Sequence, residues 1–246
     1  MINLTGVGTN RLSMNSRVGL TLIWTLEASA LVASTGTMAS VRADADVALD
    51  TNPGSSFWQD ARPVVADRDN FGKTVPGFAT EVRSRWTNGN LYFLFICPYQ
   101  QLYLKPHPVT TSETNELWNW DVAEVFIGSD FKNILRYREF EISPQGEWVD
   151  LDIDRSKPHS EDGWTWNSGF QVSARIDQSN KIWYAAMRIP WPAIDSRPPK
   201  PGAEFRMNLY LSEGPPKNHK SITWQPTMDH NFHVPERFGL LKLESR

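Results

Sequence analysis

Apolar and polar residues alternate with a period of two along most of the chain after residue 48. In residues 80–86, Val82, Ser84 and Trp86 alternate with charged side chains. Asn88 and Gly89 then separate this segment from the apolar run 91–97. Such alternation is typical of strands with one buried face, and Asn-Gly is a strong turn signal. The pattern therefore predicts a β-hairpin.

The same period recurs further along the chain, without a sustained period of 3.6, and predicts about nine or more strands. The further segments are 122–127, 137–143, 147–153, 170–176, 182–189, 205–211, 222–225 and 239–243. We therefore expect an all-β fold, an antiparallel β-sandwich of about nine or more strands. The stretches 67–77, 100–115 and 217–235 look irregular and predict long ligand-binding loops.

The first part of the chain has a different pattern. Arg11 and Arg17 precede the apolar run 18–26, and small residues follow in 28–39, with Ala43 suited to a cleavage site. A positive region, an apolar region and small residues, in that order, are typical of a secretory signal. The apolar run is too short to predict a membrane span.

This order divides the chain into two parts. We expect a signal peptide or disordered leader at residues 1–43 and one folded domain at residues 44–246, because no Gly- or Ser-rich linker follows. The protein is then expected to be secreted or periplasmic. Translation from Met1 and from Met14 both fit this interpretation, and the sequence leaves the oligomeric state open.

The amino-acid composition excludes several functional classes of protein. The net charge is −3 with mixed signs, so the basic surface of a nucleic-acid-binding protein is not expected. The single cysteine, Cys97, excludes an internal disulfide and a Cys-based zinc site, and its apolar surroundings predict a core residue. Eleven tryptophans are more than a core of this size needs, and indole rings suit flat apolar ligand faces.

The segment that leads into the predicted strand 122–127 is rich in candidate site residues. Trp118 and Trp120 stand before the strand, followed by Asp121 and Glu124. An indole can cover the C–H face of a sugar while a carboxylate accepts hydrogen bonds from its hydroxyls. The alternative is structural: Asp121 caps a turn and Glu124 pairs with an arginine.

Other acidic residues offer weaker hypotheses. Asp150, Asp152 and Asp154 alternate on one face, which indicates a calcium site or, more simply, a solvated strand face. Glu124 and Glu141 could be proposed as a glycoside-hydrolase pair, although many such pairs exist by chance. No Walker, Gly-x-Ser-x-Gly or His-Glu-x-x-His motif is present. The sequence thus predicts a protein that is not an enzyme and has no cofactor, with calcium as an alternative.

Several segments together resemble the family 9 carbohydrate-binding-module-like domains, which belong to the DOMON-like β-sandwiches. The resemblance covers residues 49–243 and is strongest in the Asp-x-x-Glu-x-Phe and Pro-Glu-Arg-Phe-Gly blocks. It implies the β-sandwich fold and non-catalytic binding of a carbohydrate ligand. The segments that carry it are Trp58, 91–95, 120–127, 137–146, 189–191 and 232–239.

The resemblance also implies a site in which aromatic side chains clamp a terminal sugar. Trp118 matches one clamp tryptophan, and Phe232 stands in the place of the other. Glu124 matches a carboxylate that holds sugar hydroxyls, and Arg237 stands where those members carry a lysine. Glu141 stands where they carry an arginine, which is a departure from the pattern.

The predicted site lies between Trp118 and the segment 229–237. The full set of candidate ligand-binding residues is Trp118, Trp120, Glu124, Glu141, Trp224, Phe232, His233 and Arg237.

Two further hypotheses remain open. DOMON-like relatives that hold haem suggest a non-covalent haem-binding electron-transfer domain, for which Met207, Met228, His230 and His233 are the candidate ligands. The other hypothesis is a structural accessory domain without a ligand. Neither predicts binding to nucleic acid or a membrane span.

Overall fold

Twelve β-strands dominate the fold in a computed structural model that describes residues 36–246, except the side chains of residues 160 and 161. Two short helices, α1 (Ser56–Gln59) and α2 (Trp191–Ile194), flank the strands. The all-β prediction is confirmed. The strands are β1 (Thr37–Arg42), β2 (Val64–Ala66), β3 (Thr80–Trp86), β4 (Asn90–Pro98), β5 (Val122–Gly128), β6 (Arg136–Ile142), β7 (Trp148–Asp154), β8 (Gln171–Asp177), β9 (Ile182–Pro190), β10 (Glu204–Glu213), β11 (Lys220–Thr223) and β12 (Gly239–Glu244).

The strands hydrogen-bond in the order β7-β6-β5-β10-β12-β1-β3-β4-β9-β8, with β11 added on β10 and β2 on β3. The sheet folds over on itself as a sandwich, because Val82 and Phe93 from one half share a buried cluster with Val125 and Leu209 from the other. Cys97 lies in the same cluster, fully buried, as its apolar surroundings predict. Among the described residues, no helix has both the length and the apolarity to cross a membrane.

Strand β1 corrects the predicted boundary at residue 44. It lies in the middle of the strand order and pairs in parallel with both β12 and β3, whereas an antiparallel sandwich was expected throughout. Met38 on this strand is fully buried, and the hydroxyls of Ser40 and Ser84 are 2.8 Å apart. Cleavage after Ala43 would therefore remove a central strand. The predicted signal segment up to residue 35 lies outside the described residues.

Strand β5 is covered on both sides, and this arrangement positions the site. Val125 and its alternate neighbours face the core between the two halves of the sandwich. Phe126 faces the opposite way, into a second apolar cluster that includes Leu117, Tyr210 and Phe238. Since β5 lies between β6 and β10, the outer face of these three strands forms a floor beneath the covering loops.

Candidate functional site

A cavity of about 510 Å³ lies on this outer face. Its size falls within the usual range for sites that hold small ligands. The strands provide its floor, and the 3₁₀ turn Leu117–Asn119 and the loop 226–234 provide its walls. The lining residues from strands and turn are Trp118, Glu124, Phe126, Glu139, Leu151, Ser212 and Ser221, and those from the loop are Asp229, His230, Asn231, Phe232 and His233.

Trp118 is held at the cavity by the turn before β5. Leu117 anchors the turn because it is fully buried in the second apolar cluster, whereas Trp118 is only partly buried. Asp121 fixes the end of the turn, since its carboxylate accepts hydrogen bonds from the backbone N–H groups of Tyr103 at 2.7 Å and Gly214 at 2.6 Å. Burial raises the pKa of Asp121 to about 6. Asp121 is thus a structural residue, as the alternative interpretation proposed.

The opposite wall is fixed by two tyrosines from the floor. The ring of Phe232 stacks on Tyr210, with centroids 4.2 Å apart. The hydroxyl of Tyr137 lies 2.7 Å from Nδ1 of His233, and the His233 ring also lies 5.0 Å from that of Phe126. The side chains of Phe232 and His233 therefore pack against the sheet, although both residues belong to a loop.

Three glutamates lie together in the floor. Glu124 faces Glu141 across the β5–β6 pairing, and Glu139 follows on the same face of β6. All three are buried, and carboxyl oxygens from the three residues lie within 4.8 Å of one another. Burial raises the pKa of Glu139 to about 7. Burial, and then the charges of the neighbouring glutamates, raise the pKa values of Glu124 and Glu141 well above the ordinary value.

Four of the predicted site residues line this cavity: Trp118, Glu124, Phe232 and His233. Glu141 is not among the lining residues, although it contributes to the glutamate cluster beneath them.

The structure does not bring the other three predicted residues to the cavity. Trp120 stacks on Tyr103, with centroids 4.5 Å apart, outside the lining. Trp224 belongs to the core between the two halves of the sandwich. Arg237 is exposed on the 3₁₀ turn after the loop and does not line the cavity. These three residues therefore lie outside the cavity lining, and their role in ligand binding stays a prediction.

Glu139 and Tyr210 belong to the site although they were not among the residues predicted from the sequence. The sequence did contain a signal for Glu139. Tyr137, Glu139 and Glu141 alternate along one strand, so Glu139 shares a face with the predicted site residue Glu141. In the structure Glu139 pairs with Phe126 of the neighbouring strand. Tyr210 had no such signal, because its partner Phe232 is distant in sequence.

The aspartate row of β7 is engaged with protein groups. Asp152 forms an ion pair with Arg138, and Asp154 lies 3.4 Å from the Lys157 ammonium. Asp150 is buried and accepts a 2.8 Å hydrogen bond from the backbone N–H of Ser168, so the row is not simply a solvated face.

Of the four candidate haem ligands, His230 and His233 line the same cavity, whereas Met207 lies elsewhere. Met207 is fully buried on the core side of β10, whereas His233 lies at the cavity on the other side of the sheet. Met228 is exposed. The described structure therefore does not join Met207 to His233 as a pair of axial ligands.

A second cavity of about 570 Å³ adjoins the first, and Ser221 and His230 line both. Phe71 stands at this second cavity with 49% of its surface exposed, and its ring meets His230 edge-on at 5.0 Å. Asp69 fixes the Phe71 loop, since its carboxylate accepts 2.9 Å hydrogen bonds from the N–H groups of Phe71 and Lys73. The two cavities therefore share part of their lining.

The family and the fold of this chain can be compared with those of known proteins. The profile of the carbohydrate family 9 binding domain-like family matches residues 49–246. No curated protein sequence matches the chain. The fold is similar to that of a family 9 carbohydrate-binding module from Caldicellulosiruptor kristjanssonii solved with cellotriose. That structure has a TM-score of 0.61 and 13% identity, over 86% of this chain and 95% of the other.

Two further structures share the fold. The C. kristjanssonii module solved with glucose has a TM-score of 0.59 and 14% identity, covering 85% of this chain and 96% of the other. A Bacteroides uniformis protein, whose carbohydrate binding is itself only proposed, has a TM-score of 0.64 and 14% identity, covering 86% and 100%. At such identities the similarity establishes the fold.

Proposed function

We propose, from the premise that the chain belongs to the carbohydrate family 9 binding domain-like family, that it binds a carbohydrate without chemically altering it. The ligand end would enter the cavity between Trp118 and Phe232. The observation that carries this proposal is the combination of two partly buried aromatic side chains on the walls with carboxyl groups in the floor.

The chemistry of a sugar ring fits this lining. A pyranose presents C–H groups on its faces and hydroxyls around its edge, so it needs both apolar surfaces and polar partners. Phe232 has one ring face covered by Tyr210, which leaves the other for a ligand. Glu124, Asn231 and Asp229 supply acceptors for sugar hydroxyls, and the amide of Asn231 also supplies a donor.

The arrangement of the three glutamates in the floor favours binding over hydrolysis between them. Glycoside hydrolysis needs two carboxyl groups on opposite sides of the scissile bond. Glu124, Glu139 and Glu141 all belong to one face of neighbouring strands, with oxygens from the three residues within 4.8 Å of one another. A sugar above the floor would meet them from one side only.

The second cavity offers space for further sugar units, so the ligand can be an oligosaccharide. A ligand bound in the first cavity could continue past Ser221 and His230 towards Phe71. Of the similar structures, one holds glucose and another cellotriose, so glucose and short β-glucans are the first ligands to test.

We also propose that the protein is exported, to the periplasm or outside the cell. The support is the order of charged, apolar and small residues in 11–39. Because β1 begins at Thr37, cleavage must come earlier than residue 43. Ala28 and Ala30 form a small-x-small pattern that fits, so we expect the exported chain to begin at Leu31. N-terminal sequencing of exported protein tests this, and an intact leader would contradict it.

Titration calorimetry of the protein with glucose, cellotriose and an unrelated hexose tests the proposed function. We expect saturable binding of at least one sugar, with a Kd between about micromolar and millimolar, as for a small site with few contacts. Sugar release should be assayed in parallel on the same oligosaccharides. Absence of binding to every sugar of a broader glycan panel, or hydrolysis of a bound one, would contradict the proposal.

A further inference from the structure

The glutamate cluster in the cavity floor has fewer hydrogen-bond partners than its burial requires. Glu124, Glu139 and Glu141 are each at most 3% exposed. Within the described residues, no N–H or hydroxyl group donates a hydrogen bond to Glu141 or to Oε2 of Glu139. Glu139 and Glu141 can only share a proton with each other, and His233 Nε2 stays 3.8 Å from Glu139 Oε2. Glu124 has only a long contact, 3.4 Å from the Ser212 hydroxyl. Buried polar atoms without partners are rare in folded proteins, and a bound water or ion is one explanation for them.

The charges of the three glutamates also indicate that the cluster needs a proton or a cation. Three ionised carboxyl groups in a buried space repel one another and lose their hydration, which is very costly. Such a cluster is stable when it takes up protons or when it binds a cation. His233 Nε2 lies 3.8 Å from Glu139 Oε2, so a protonated His233 offsets at most one of the three charges. Arg138 does not compensate the cluster, because it lies on the other face of β6 and pairs with Asp152.

We propose that Glu124, Glu139 and Glu141 bind one calcium ion in the floor of the cavity. Donors that are all carboxylate oxygens favour hard cations such as calcium. Calcium–oxygen distances of about 2.3–2.6 Å place donors on opposite sides of the ion about 4.6–5.2 Å apart. The spacing of at most 4.8 Å among the oxygens of this cluster fits an ion between them.

The position of the cluster allows an ion to enter and gives it a structural effect. Glu124 and Glu139 line the cavity, so an ion can reach them from the solvent-filled side. The ion would join β5 and β6 at the point where Glu124 faces Glu141, and would replace mutual repulsion by attraction. This site differs from the aspartate row of β7, and it shares Glu124 with the proposed sugar site.

Calorimetric titration of chelator-treated, full-length protein with CaCl₂ at pH 8 tests the proposal. We expect one calcium per chain and a higher melting temperature in the presence of calcium. Because calcium must displace protons from these carboxyls, binding should be weaker at pH 6 than at pH 8. Glu141→Gln and Glu139→Gln should each reduce the calcium affinity at least tenfold.

Glu213→Gln is the matched control. Glu213 is also a buried glutamate, but it faces the core, where its carboxylate accepts a 3.2 Å hydrogen bond from Trp183 Nε1. This variant should bind calcium like the wild type. Circular dichroism verifies that each variant is folded.

Two results would overturn the calcium site: no calcium binding by the wild type, or wild-type affinity in folded Glu141→Gln and Glu139→Gln. Sugar titrations of the chelator-treated protein separate this inference from the proposed function. Sugar binding without calcium binding refutes only the ion, and calcium binding without sugar binding refutes only the carbohydrate proposal.

Discussion

The ring of Phe232 lies flat on the ring of Tyr210, with 4.2 Å between centroids and 11° between planes. The Tyr210 hydroxyl also donates a 2.8 Å hydrogen bond to the Phe232 carbonyl oxygen, and it accepts one of 2.7 Å from Asn208 Nδ2. A loop residue is thereby held on the sheet through both its ring and its backbone. This preorganisation reduces the entropy that a ligand must supply when it contacts the ring.

Phe232→Ala is expected to weaken sugar binding about tenfold or more, because it removes an aromatic wall of the cavity. Phe131→Ala is the matched control, since Phe131 is an exposed phenylalanine that does not line the cavity. Titration with the best-binding sugar of the panel measures both. Equal losses in the two variants, or none in Phe232→Ala, would mean that this ring is not a wall of the site.

Phe71→Ala is expected to weaken the binding of long ligands and to leave the binding of short ligands unchanged. Phe71 stands at the second cavity, so its ring can contact only a ligand that extends beyond the first. The variant should bind a monosaccharide like the wild type and an oligosaccharide several-fold more weakly. Competition titrations with glucose and cellotriose measure the ratio. An unchanged ratio would show that the ligand stays within the first cavity.

Local pattern predicted the strands well because burial on one face leaves a period of two in the sequence. The predicted strand 80–86 coincides with β3. β1 escaped prediction because Ala39 and Ser40 are weak strand formers, and its place depends on parallel pairing with β12, about two hundred residues later. Its small residues also look like the cleavage region of a signal.

The site was only partly predictable, because side-chain direction depends on the local backbone. Trp118 and Trp120 are two residues apart, but Trp118 lies within the 3₁₀ turn whereas Trp120 follows it in extended backbone, so the two side chains point in different directions. One reaches the cavity and the other Tyr103. Glu139 was missed because alternation shows that a face is shared, but not that a distant loop covers that face.

Glu213→Gln tests the effect of an isolated buried carboxyl on stability. Burial raises the pKa of Glu213 to about 8 from an ordinary 4.5, and the Asp121 charge adds to this rise. The folded state therefore holds a proton that the unfolded state releases, so this contribution to stability is present below pH 4.5 and disappears as the pH rises to about 8.

The wild type should lose up to about 1.4 kcal/mol per pH unit from this group across that interval, and Glu213→Gln should lose correspondingly less. Denaturant unfolding at pH 5, 6, 7 and 8 measures the difference. Parallel curves for the two proteins would show that Glu213 does not titrate in this range.

Two truncations test the role of β1. A chain that begins at residue 34 retains every described strand and should melt like the full-length protein. A chain that begins at residue 44 lacks β1 and leaves β12 and β3 without the strand between them, so it should fail to fold or melt at a much lower temperature. Thermal melts followed by circular dichroism compare them. Equal stability of both truncations would contradict the placement of β1.

The comparison of Trp118→Ala with Trp120→Ala by titration calorimetry tests the central claim, that the cavity beside Trp118 is the carbohydrate site. Both changes remove a partly buried indole from the same turn, but only Trp118 lines the cavity. Loss of the Trp118 contact should cost about 2 kcal/mol or more, which is roughly thirtyfold in affinity. Trp120→Ala should bind the sugar like the wild type. A folded Trp118→Ala variant with wild-type affinity, or a comparable loss in Trp120→Ala, would contradict the account.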